Sequence, residues 1–159
     1  MNITVIAVGK LKEKFFEAAV NEYVKRLGRF SKVRIIELSD QKIADKATDG
    51  QVRQVLEKEG DDILSKISPP QYVIALCVEG KKMSSETFAD TIQTLGINGK
   101  SDIVFVIGGS LGLDEKVKKR ADLKLSFSDM TFPHQLMRVV LLEQIYRCYR
   151  IINGEPYHK

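Results

Sequence analysis

The sequence predicts a single α/β domain built on a parallel sheet with helices on both faces. Segments with strand composition alternate along the chain with segments whose apolar residues recur at helical spacing. Two central candidate strands, at 72–78 and 102–107, are apolar almost throughout, which is typical of parallel strands buried on both faces. The length of 159 residues suits one well-cored domain, so residues 1–159 are assigned to one domain.

The first half of the chain alternates strands with helices. Gly28 is placed to end the first helix, because glycine is favoured where a helix stops. Ser68, Pro69 and Pro70 end the second helix, since a proline disfavours the helical conformation of the residue before it. The expected elements are strands at 2–8 and 32–38, helices at 13–27 and 51–67, and a polar loop over 39–50.

The second half continues the alternation. Ser84 or Ser85 is a suitable N-cap for a helix. After the strand at 72–78, the expected elements are a helix over 86–95, a strand at 102–107, a short helix from Asp114, a strand at 122–127 and a last helix over 134–152. In such a sheet ligands bind beyond the carboxyl ends of the strands. We therefore expect residues 76–80, 108–112 and 127–132 to lie together.

The last helix is apolar in most directions around its axis, so it must be covered on nearly all sides. Arg138 lies on its most hydrophobic side, with His134 one turn earlier. Burying an unpaired charge costs several kcal/mol, so Arg138 needs a partner or a ligand. One interpretation pairs it with a carboxylate across a subunit interface, and the other places it near the mouth of the site, within reach of a phosphate of the ligand, or of the partner subunit.

The charge is mildly basic, with a formal net charge of +4, but it is unevenly distributed. Residues 1–36 are rich in lysine and arginine, and residues 37–62 are rich in acids. A second basic cluster follows the glycines near residue 110: Lys116, Lys118, Lys119, Arg120 and Lys124. Each cluster alone is typical of a solvated helix face. Two clusters, one of them beside a candidate site, favour a nucleic-acid partner.

Several classes of protein are disfavoured by what the sequence lacks. No apolar run is long enough to span a membrane and the N-terminus has no signal-peptide pattern, so we expect a cytoplasmic protein without membrane attachment. Cys77 and Cys148 stand singly in apolar stretches and are expected to fill the core. None of the candidate ligands has metal-site spacing, so no metal is expected.

Residues 103–113, IVFVIGGSLGL, run from an apolar strand into three glycines, a pattern that first suggests a phosphate site. The details disagree with that interpretation. Leu113 and Asp114 follow Gly112, whereas a P-loop requires Lys and Ser or Thr there. Ser110 occupies the position of the middle glycine of a dinucleotide fingerprint. The glycines are therefore expected to make room for something other than a phosphate.

The stretches FVIGGSLGL and LSFSDMTFPHQLMRVVLLEQIYRCYRIINGEPYHK resemble the ribosomal large-subunit pseudouridine methyltransferase H family, a minimal branch of the SPOUT methyltransferases. The resemblance extends over the whole chain in length and element order. It implies S-adenosylmethionine as cofactor, bound in a C-terminal trefoil knot, and a homodimer formed through the first and last helices. It also implies methyl transfer to N3 of a pseudouridine in large-subunit ribosomal RNA, with the assembled ribosome as the expected partner.

The resemblance also assigns site residues. Leu76 and Gly108 are expected to line the cofactor pocket. The loop that wraps the cofactor is expected to consist of Phe127, Ser128, Asp129, Met130, Thr131 and Phe132. The tail 154–159 is expected to fold over the pocket so that Tyr157 and His158 contact the target base. His134 and Arg138 complete the candidate catalytic set, although His134 also suits a plain structural role at the start of the last helix.

Two other functions remain open at this point. A dinucleotide-dependent oxidoreductase is favoured by Asp129, which stands where a ribose-binding acid is expected after the glycines. A non-enzymatic, ribosome-associated RNA-binding module is favoured by the basic clusters. The residues themselves do not specify the modified nucleotide, the choice between naked RNA and assembled ribosome, or the general base.

Overall fold

A computed structural model describes residues 1–157. Strands and helices alternate through this part of the chain, as the sequence predicted. The elements are β1 (Asn2–Val8), α1 (Lys14–Leu27), β2 (Lys32–Leu38), α2 (Asp49–Leu64), β3 (Tyr72–Lys82), α3 (Ser85–Ile97), β4 (Asp102–Ile107), α4 (Glu115–Arg120), β5 (Leu123–Ser126) and α5 (His134–Ile152).

The strands form one sheet in the order β2-β1-β4-β3-β5, and every pairing is parallel. In β1, Val5 pairs with Ile35 of β2 on one side and with Phe105 of β4 on the other. Because all strands run in one direction, their carboxyl ends meet at a single edge, called here the carboxyl edge. The predicted α/β class is confirmed.

Helices cover both faces of the sheet. On one face, α1, α3 and α5 bury Leu27, Ile92 and Leu142 in the core that contains Val5 and Phe105. The other core packs the sheet against α2 and α4 and contains Ile6, Val104, Ile63 and Val117. Alternate residues of a strand thus enter opposite cores, which explains why β1 is apolar over 5–8 and β4 over 103–107.

Local signals set the helix starts. The Thr48 hydroxyl oxygen accepts a hydrogen bond from the Gln51 N–H, and the Gln51 side-chain oxygen accepts one from the Thr48 N–H. Because of this capping box, α2 begins at Asp49, two residues before the predicted start. Ser84 caps α3 through the Thr87 N–H, in agreement with one of the two predicted caps.

The strand β3 is longer than predicted and is interrupted by a bulge. Leu125 of β5 pairs with both Leu76 and Lys81, so residues 77–80 are displaced from the ladder. Gly80 lies directly against β5, where an added Cβ would be 2.6 Å from the carbonyl carbon of Leu125. A glycine is required there because no side chain fits between the two backbones.

The helix α5 is covered as predicted. It packs between α1 and α3, and Leu141, Leu142, Ile145 and Cys148 are inaccessible to solvent. Cys148 is therefore a core residue, and burial raises the pKa of its thiol far above the ordinary range. Within residues 1–157 no helix has the length and apolar character needed to cross a membrane. The trefoil knot implied by the family resemblance stays a prediction.

Candidate functional site

A cavity of about 770 Å³ opens at the carboxyl edge, a volume typical of a pocket for a small organic ligand. It lies between the β3 bulge 77–80, the glycine loop 108–113, the loop 126–133 and the start of α5. The three strand ends that the sequence predicted to lie together therefore form its walls.

Most of the predicted cofactor residues line this cavity. They are Leu76, Gly108, Phe127, Ser128, Met130, Thr131 and Phe132. Asp129 is not among the lining residues, and its exposed carboxylate pairs with the Lys82 ammonium group near the end of β3. The cavity lining therefore supports Asp129 neither in the cofactor loop nor as the ribose-binding acid of a dinucleotide site.

The glycine loop folds back on itself. The Gly112 N–H donates to the carbonyl oxygen of Gly109 at 3.1 Å, and Gly112 has a φ of 82°, which favours glycine. A Cβ added to Gly108 would lie 2.5 Å from the carbonyl oxygen of Gly112. Gly108 therefore lets two backbone segments approach closely at the cavity wall.

The helix that follows the glycine loop is unsuited to binding a phosphate. Its first free N–H groups are capped by Asp114, whose carboxylate accepts from the Lys116 N–H at 2.8 Å. Glu115 adds a second negative charge in the first turn. The positive end of the helix is already compensated by these carboxylates, which agrees with the sequence-based rejection of a phosphate site.

The basic cluster after the glycine loop is largely neutralised. Lys116 pairs with Asp61 at 2.6 Å, and Lys118 pairs with Glu79. Arg120 pairs with Asp122 at 3.3 Å and donates to the carbonyl oxygen of Gln71 at 2.9 Å. These three residues hold α4 against neighbouring elements, and Lys119 and Lys124 are exposed, so only these two lysines of the cluster are left to support a nucleic-acid partner.

The β3 bulge brings polar groups to the cavity wall. Cys77, Glu79 and Lys118 all line it, so the prediction that Cys77 fills the core is wrong. Burial and the neighbouring Glu79 raise the pKa of the Cys77 thiol, which keeps it protonated. Lys118 donates a hydrogen bond to the Glu79 carboxylate, which raises the pKa of Lys118 and lowers that of Glu79, so the pair is fully ionised at neutral pH.

The loop 126–133 is held by its own hydrogen bonds. The Ser126 hydroxyl donates to the Ser128 carbonyl oxygen at 3.2 Å, and the Ser128 hydroxyl accepts from the Met130 N–H at 2.9 Å. Met130 is 76% exposed and Phe132 is 41% exposed although both line the cavity. Their apolar side chains are available to cover a ligand.

His134 forms the part of the cavity wall nearest to β1. Its ring lies against Gly9, where an added Cβ would be 2.7 Å from Cε1. Its Nδ1 lies 3.2 Å from Nη2 of Arg138, and a guanidinium only donates, so Nδ1 is the acceptor. The proton of the neutral imidazole is therefore on Nε2. Burial and the charge of Arg138 lower the pKa of His134, which favours this neutral form.

Arg138 is completely buried, so the prediction that it lies at the mouth of the site within reach of RNA is wrong. Its Nη1 donates to the Glu37 carboxylate at 2.6 Å and its Nη2 donates to the Gly9 carbonyl oxygen at 2.5 Å. The expected carboxylate partner thus comes from the same chain. Partial burial of Glu37 opposes its ionisation, but hydrogen bonds from Arg138 and the Leu11 N–H outweigh this and lower its pKa.

Tyr157 is partly buried against the core beside α5 and is not among the residues that line the cavity of its own chain. Its hydroxyl is 3.2 Å from a Glu143 carboxylate oxygen, and its ring contacts Tyr146 and the guanidinium of Arg147. Glu143 follows His134 by nine residues, or about 14 Å along a helix. Tyr157 therefore does not cover the cavity of its own chain, the expected contact of the tail with the target base stays a prediction, and His158 lies outside the described residues.

Sequence reasoning missed Glu143 and Arg147 as partners of the tail. They form an ion pair of 2.7 Å one turn apart on α5, both at least three-quarters buried. The only available signal was their position in the single polar sector of an otherwise apolar helix. Within residues 1–157, no group of three or more His, Cys, Asp or Glu side chains is arranged to hold a metal ion.

Comparison with known proteins agrees with this architecture. A probable methylase family protein from Haemophilus influenzae has a TM-score of 0.52 at 11% identity, over 99% of this chain and 70% of that chain. The ribosomal RNA small subunit methyltransferase E from Neisseria gonorrhoeae, solved with S-adenosyl methionine, has a TM-score of 0.55 at 12% identity, over 91% of this chain and 65% of that chain. At such identities the likeness shows the fold alone.

Sequence comparison is more specific. A family described as predicted SPOUT methyltransferase matches residues 1–158. Proteins named ribosomal RNA large subunit methyltransferase H from Alkaliphilus oremlandii and Clostridium tetani are 57% and 58% identical over the full length of both chains. The chain belongs to the SPOUT methyltransferase family and, within it, to the ribosomal RNA large subunit methyltransferase H family.

Proposed function

We propose that this protein transfers a methyl group from S-adenosylmethionine to N3 of a pseudouridine in large-subunit ribosomal RNA. The observation that carries the proposal is the cavity at the carboxyl edge of a chain that matches ribosomal RNA large subunit methyltransferase H proteins over its whole length. The relatives are named for the same RNA.

The cavity fits S-adenosylmethionine better than a phosphorylated nucleotide. Its volume of about 770 Å³ accommodates an adenosine joined to an amino acid. The close backbone approach at Gly108 forms a wall without a side chain, and the capped start of α4 offers no phosphate site. Leu76, Gly108 and the loop 126–133 would hold the cofactor, which supplies an electrophilic methyl group on a sulfonium.

The protein's contribution to the reaction is to orient N3 and to manage its proton. N3 of a pseudouridine carries an imide proton, which must leave for the nitrogen to become a good nucleophile. His134 has no free acceptor while Nδ1 faces Arg138, so it acts as a hydrogen-bond donor through Nε2 and not as the general base. Arg138 and Glu37 are positioning residues that hold this imidazole.

The tail supports a homodimer. Tyr157 packs on Glu143 and Arg147, too far along α5 to reach the cavity of its own chain. A contact between Tyr157 and the target base therefore requires a cavity that belongs to a second copy. We propose a homodimer in which the tail of one chain completes the site of the other, with the ribosome in the cytoplasm as the substrate.

The test is transfer of labelled methyl from S-adenosylmethionine to ribosomes that lack this modification, with the product located by mass spectrometry. We expect one methylated pseudouridine in the large-subunit RNA. Absence of label there would refute the function. In a parallel melting experiment S-adenosylhomocysteine should raise the melting temperature and NAD should not, because only a ligand of the folded state stabilises it.

A further inference from the structure

Positive charge near the cavity is available to a polyanion on residues 10–14, between the end of β1 and the first residue of α1. In the cluster at 116–124, Lys119 and Lys124 are exposed, but Lys116, Lys118 and Arg120 form ion pairs. By contrast, Lys10, Lys12 and Lys14 are exposed, and none of their ammonium groups forms an ion pair within residues 1–157. These three residues are called the lysine strip.

The strip is held in place by its backbone. The Gly9 N–H donates to the Leu38 carbonyl oxygen at 2.7 Å, and the Leu11 N–H donates to the Glu37 carboxylate at 2.8 Å. The Lys12 N–H donates to the Gln135 side chain in the first turn of α5, also at 2.8 Å. Since the backbone is already ordered, binding a ligand here costs little conformational entropy beyond that of the lysine side chains.

The strip adjoins the cavity. Gly9 touches the ring of His134, which is part of the cavity wall, and Gln135 anchors Lys12 from the next position along α5. The charge of Lys12 is close enough to His134 to contribute to the lowering of its pKa. Phosphates that flank a nucleotide at the cavity mouth would therefore lie beside the strip.

Nearby acids offset only part of this charge. Glu37 faces Lys10 but is neutralised by Arg138 and the Leu11 N–H. The charge of Asp40 acts on the pKa of His134 in the opposite sense to that of Lys12, so Asp40 offsets part of the positive charge there. Glu13, exposed between Lys12 and Lys14, is the one acid within the segment 10–14. The segment 10–14 thus carries three cations and one anion, at the rim of the cavity.

We propose that the lysine strip is the surface that binds the RNA backbone next to the target nucleotide. The inference rests on the proposed function for the identity of the RNA, while the strip itself fits any flexible phosphate chain. Lysine is suited to this role, because its ammonium group neutralises phosphate without requiring a fixed geometry. The strip would position the RNA without reading its sequence.

The test compares two triple variants with the same change in charge. The first carries Lys10→Gln, Lys12→Gln and Lys14→Gln. The control carries Lys25→Gln, Lys32→Gln and Lys100→Gln, which are exposed but lie at the opposite edge of the sheet, where α1 ends and β2 and β4 begin. Each protein is titrated with a fluorescent fragment of large-subunit ribosomal RNA at several salt concentrations, and its S-adenosylmethionine affinity is measured by calorimetry.

We expect the strip variant to lose about 2 units of the slope of log K against log salt, since each single-strand phosphate contact contributes about 0.7. Its KM for ribosomes should rise about tenfold or more, while its cofactor affinity and association state stay unchanged. The control variant should keep most of the wild-type slope of log K against log salt. Equal slopes for the two variants would overturn the proposal, and so would an altered association state, which would place the strip in a subunit contact.

Two further outcomes separate this inference from the function. If the wild-type protein binds RNA through the strip but methylates no ribosome, the proposed function is refuted and the proposal that the lysine strip binds RNA is supported. If the strip variant binds naked RNA normally and loses only ribosome binding, the strip contacts an acidic protein surface and the inference is overturned.

Discussion

Nη2 of Arg138 lies 3.2 Å from Nδ1 of His134, and this contact determines which nitrogen of the imidazole carries the proton. The guanidinium cannot accept a hydrogen bond, so the neutral ring is protonated at Nε2. Arg138 is itself fixed by Glu37 and the Gly9 carbonyl oxygen. The Nε2–H group of His134, in the cavity wall, can therefore donate a hydrogen bond to a ligand.

His134→Gln should retain most of the methyl transfer, because the glutamine amide can donate from near the position of Nε2. His134→Phe keeps a flat ring but has no donor, and it should lose about tenfold or more in turnover, roughly 1.4 kcal/mol. Single-turnover kinetics with saturating cofactor would measure the two variants. Equal loss in both would mean that His134 accepts a proton in the reaction.

The buried imidazole predicts a pH dependence of stability. The pKa of His134 is lower in the folded protein than in the unfolded chain, where it is about 6.5. Below that pH the unfolded chain binds the additional proton, so the contribution of His134 to stability is lost as the pH falls. The free energy of unfolding of wild type and of His134→Gln is measured by urea denaturation at pH 7.5 and pH 5. Between these pH values, wild type should lose more stability than His134→Gln. A difference independent of pH would contradict the buried neutral form.

Arg138→Ala should destabilise the protein by about 3 kcal/mol, because it removes a fully buried side chain together with its hydrogen bonds to Glu37 and to the Gly9 carbonyl oxygen. The matched control is Arg34→Ala, because Arg34 is exposed and its loss should cost less than about 0.5 kcal/mol. Urea denaturation measures both. A stable Arg138→Ala protein with abolished turnover would instead indicate a direct catalytic role.

Gly108→Ala should weaken S-adenosylmethionine binding at least tenfold, because the new Cβ would lie 2.5 Å from the Gly112 carbonyl oxygen and would displace the loop. Gly50→Ala is the control, since a Cβ there meets only Thr48 Oγ1 at 3.9 Å. Calorimetry with the cofactor distinguishes them. Unchanged affinity in Gly108→Ala would remove the glycine loop from the cofactor site.

A mixing experiment tests the tail. Deletion of residues 156–159 should leave cofactor binding intact and abolish most transfer, whereas Gly108→Val should abolish cofactor binding. If the tail acts on the cavity of a second copy, a mixture of the two inactive proteins should recover about a quarter of wild-type activity, because half of the random dimers hold one complete site. A mixture without activity, or a monomer in light scattering, would refute the shared site.

The periodicity of the sequence was sufficient to predict the sheet, its parallel class and the strand ends that form the cavity. It was insufficient for contacts that depend on distant partners. Lys116 pairs with a residue 55 positions away, and Arg138 with one 101 positions away, so neither local charge nor helical phase could show that these cations are satisfied. The bulge 77–80 was missed for a similar reason, since it exists only in the register with β5.

The location of Tyr157 shows a different limit. The tail was expected to cover the pocket because its residue types suit a nucleobase. Its position is decided by Glu143, Tyr146 and Arg147, whose side chains form a polar and aromatic surface along α5. The residue types of a segment indicate what it can bind, whereas its packing determines where in the protein it lies.

The carboxylate of Asp114 at the start of α4 also affects competition inside a cell. Adenosine is shared by ATP, NAD and S-adenosylmethionine, and the first two are abundant metabolites. A pocket that recognised adenosine next to an uncapped helix would be inhibited by them. With two acids at that position, a polyphosphate meets repulsion where it would otherwise find N–H donors. Replacing Asp114 and Glu115 by neutral residues should therefore strengthen the binding of ATP relative to that of S-adenosylhomocysteine.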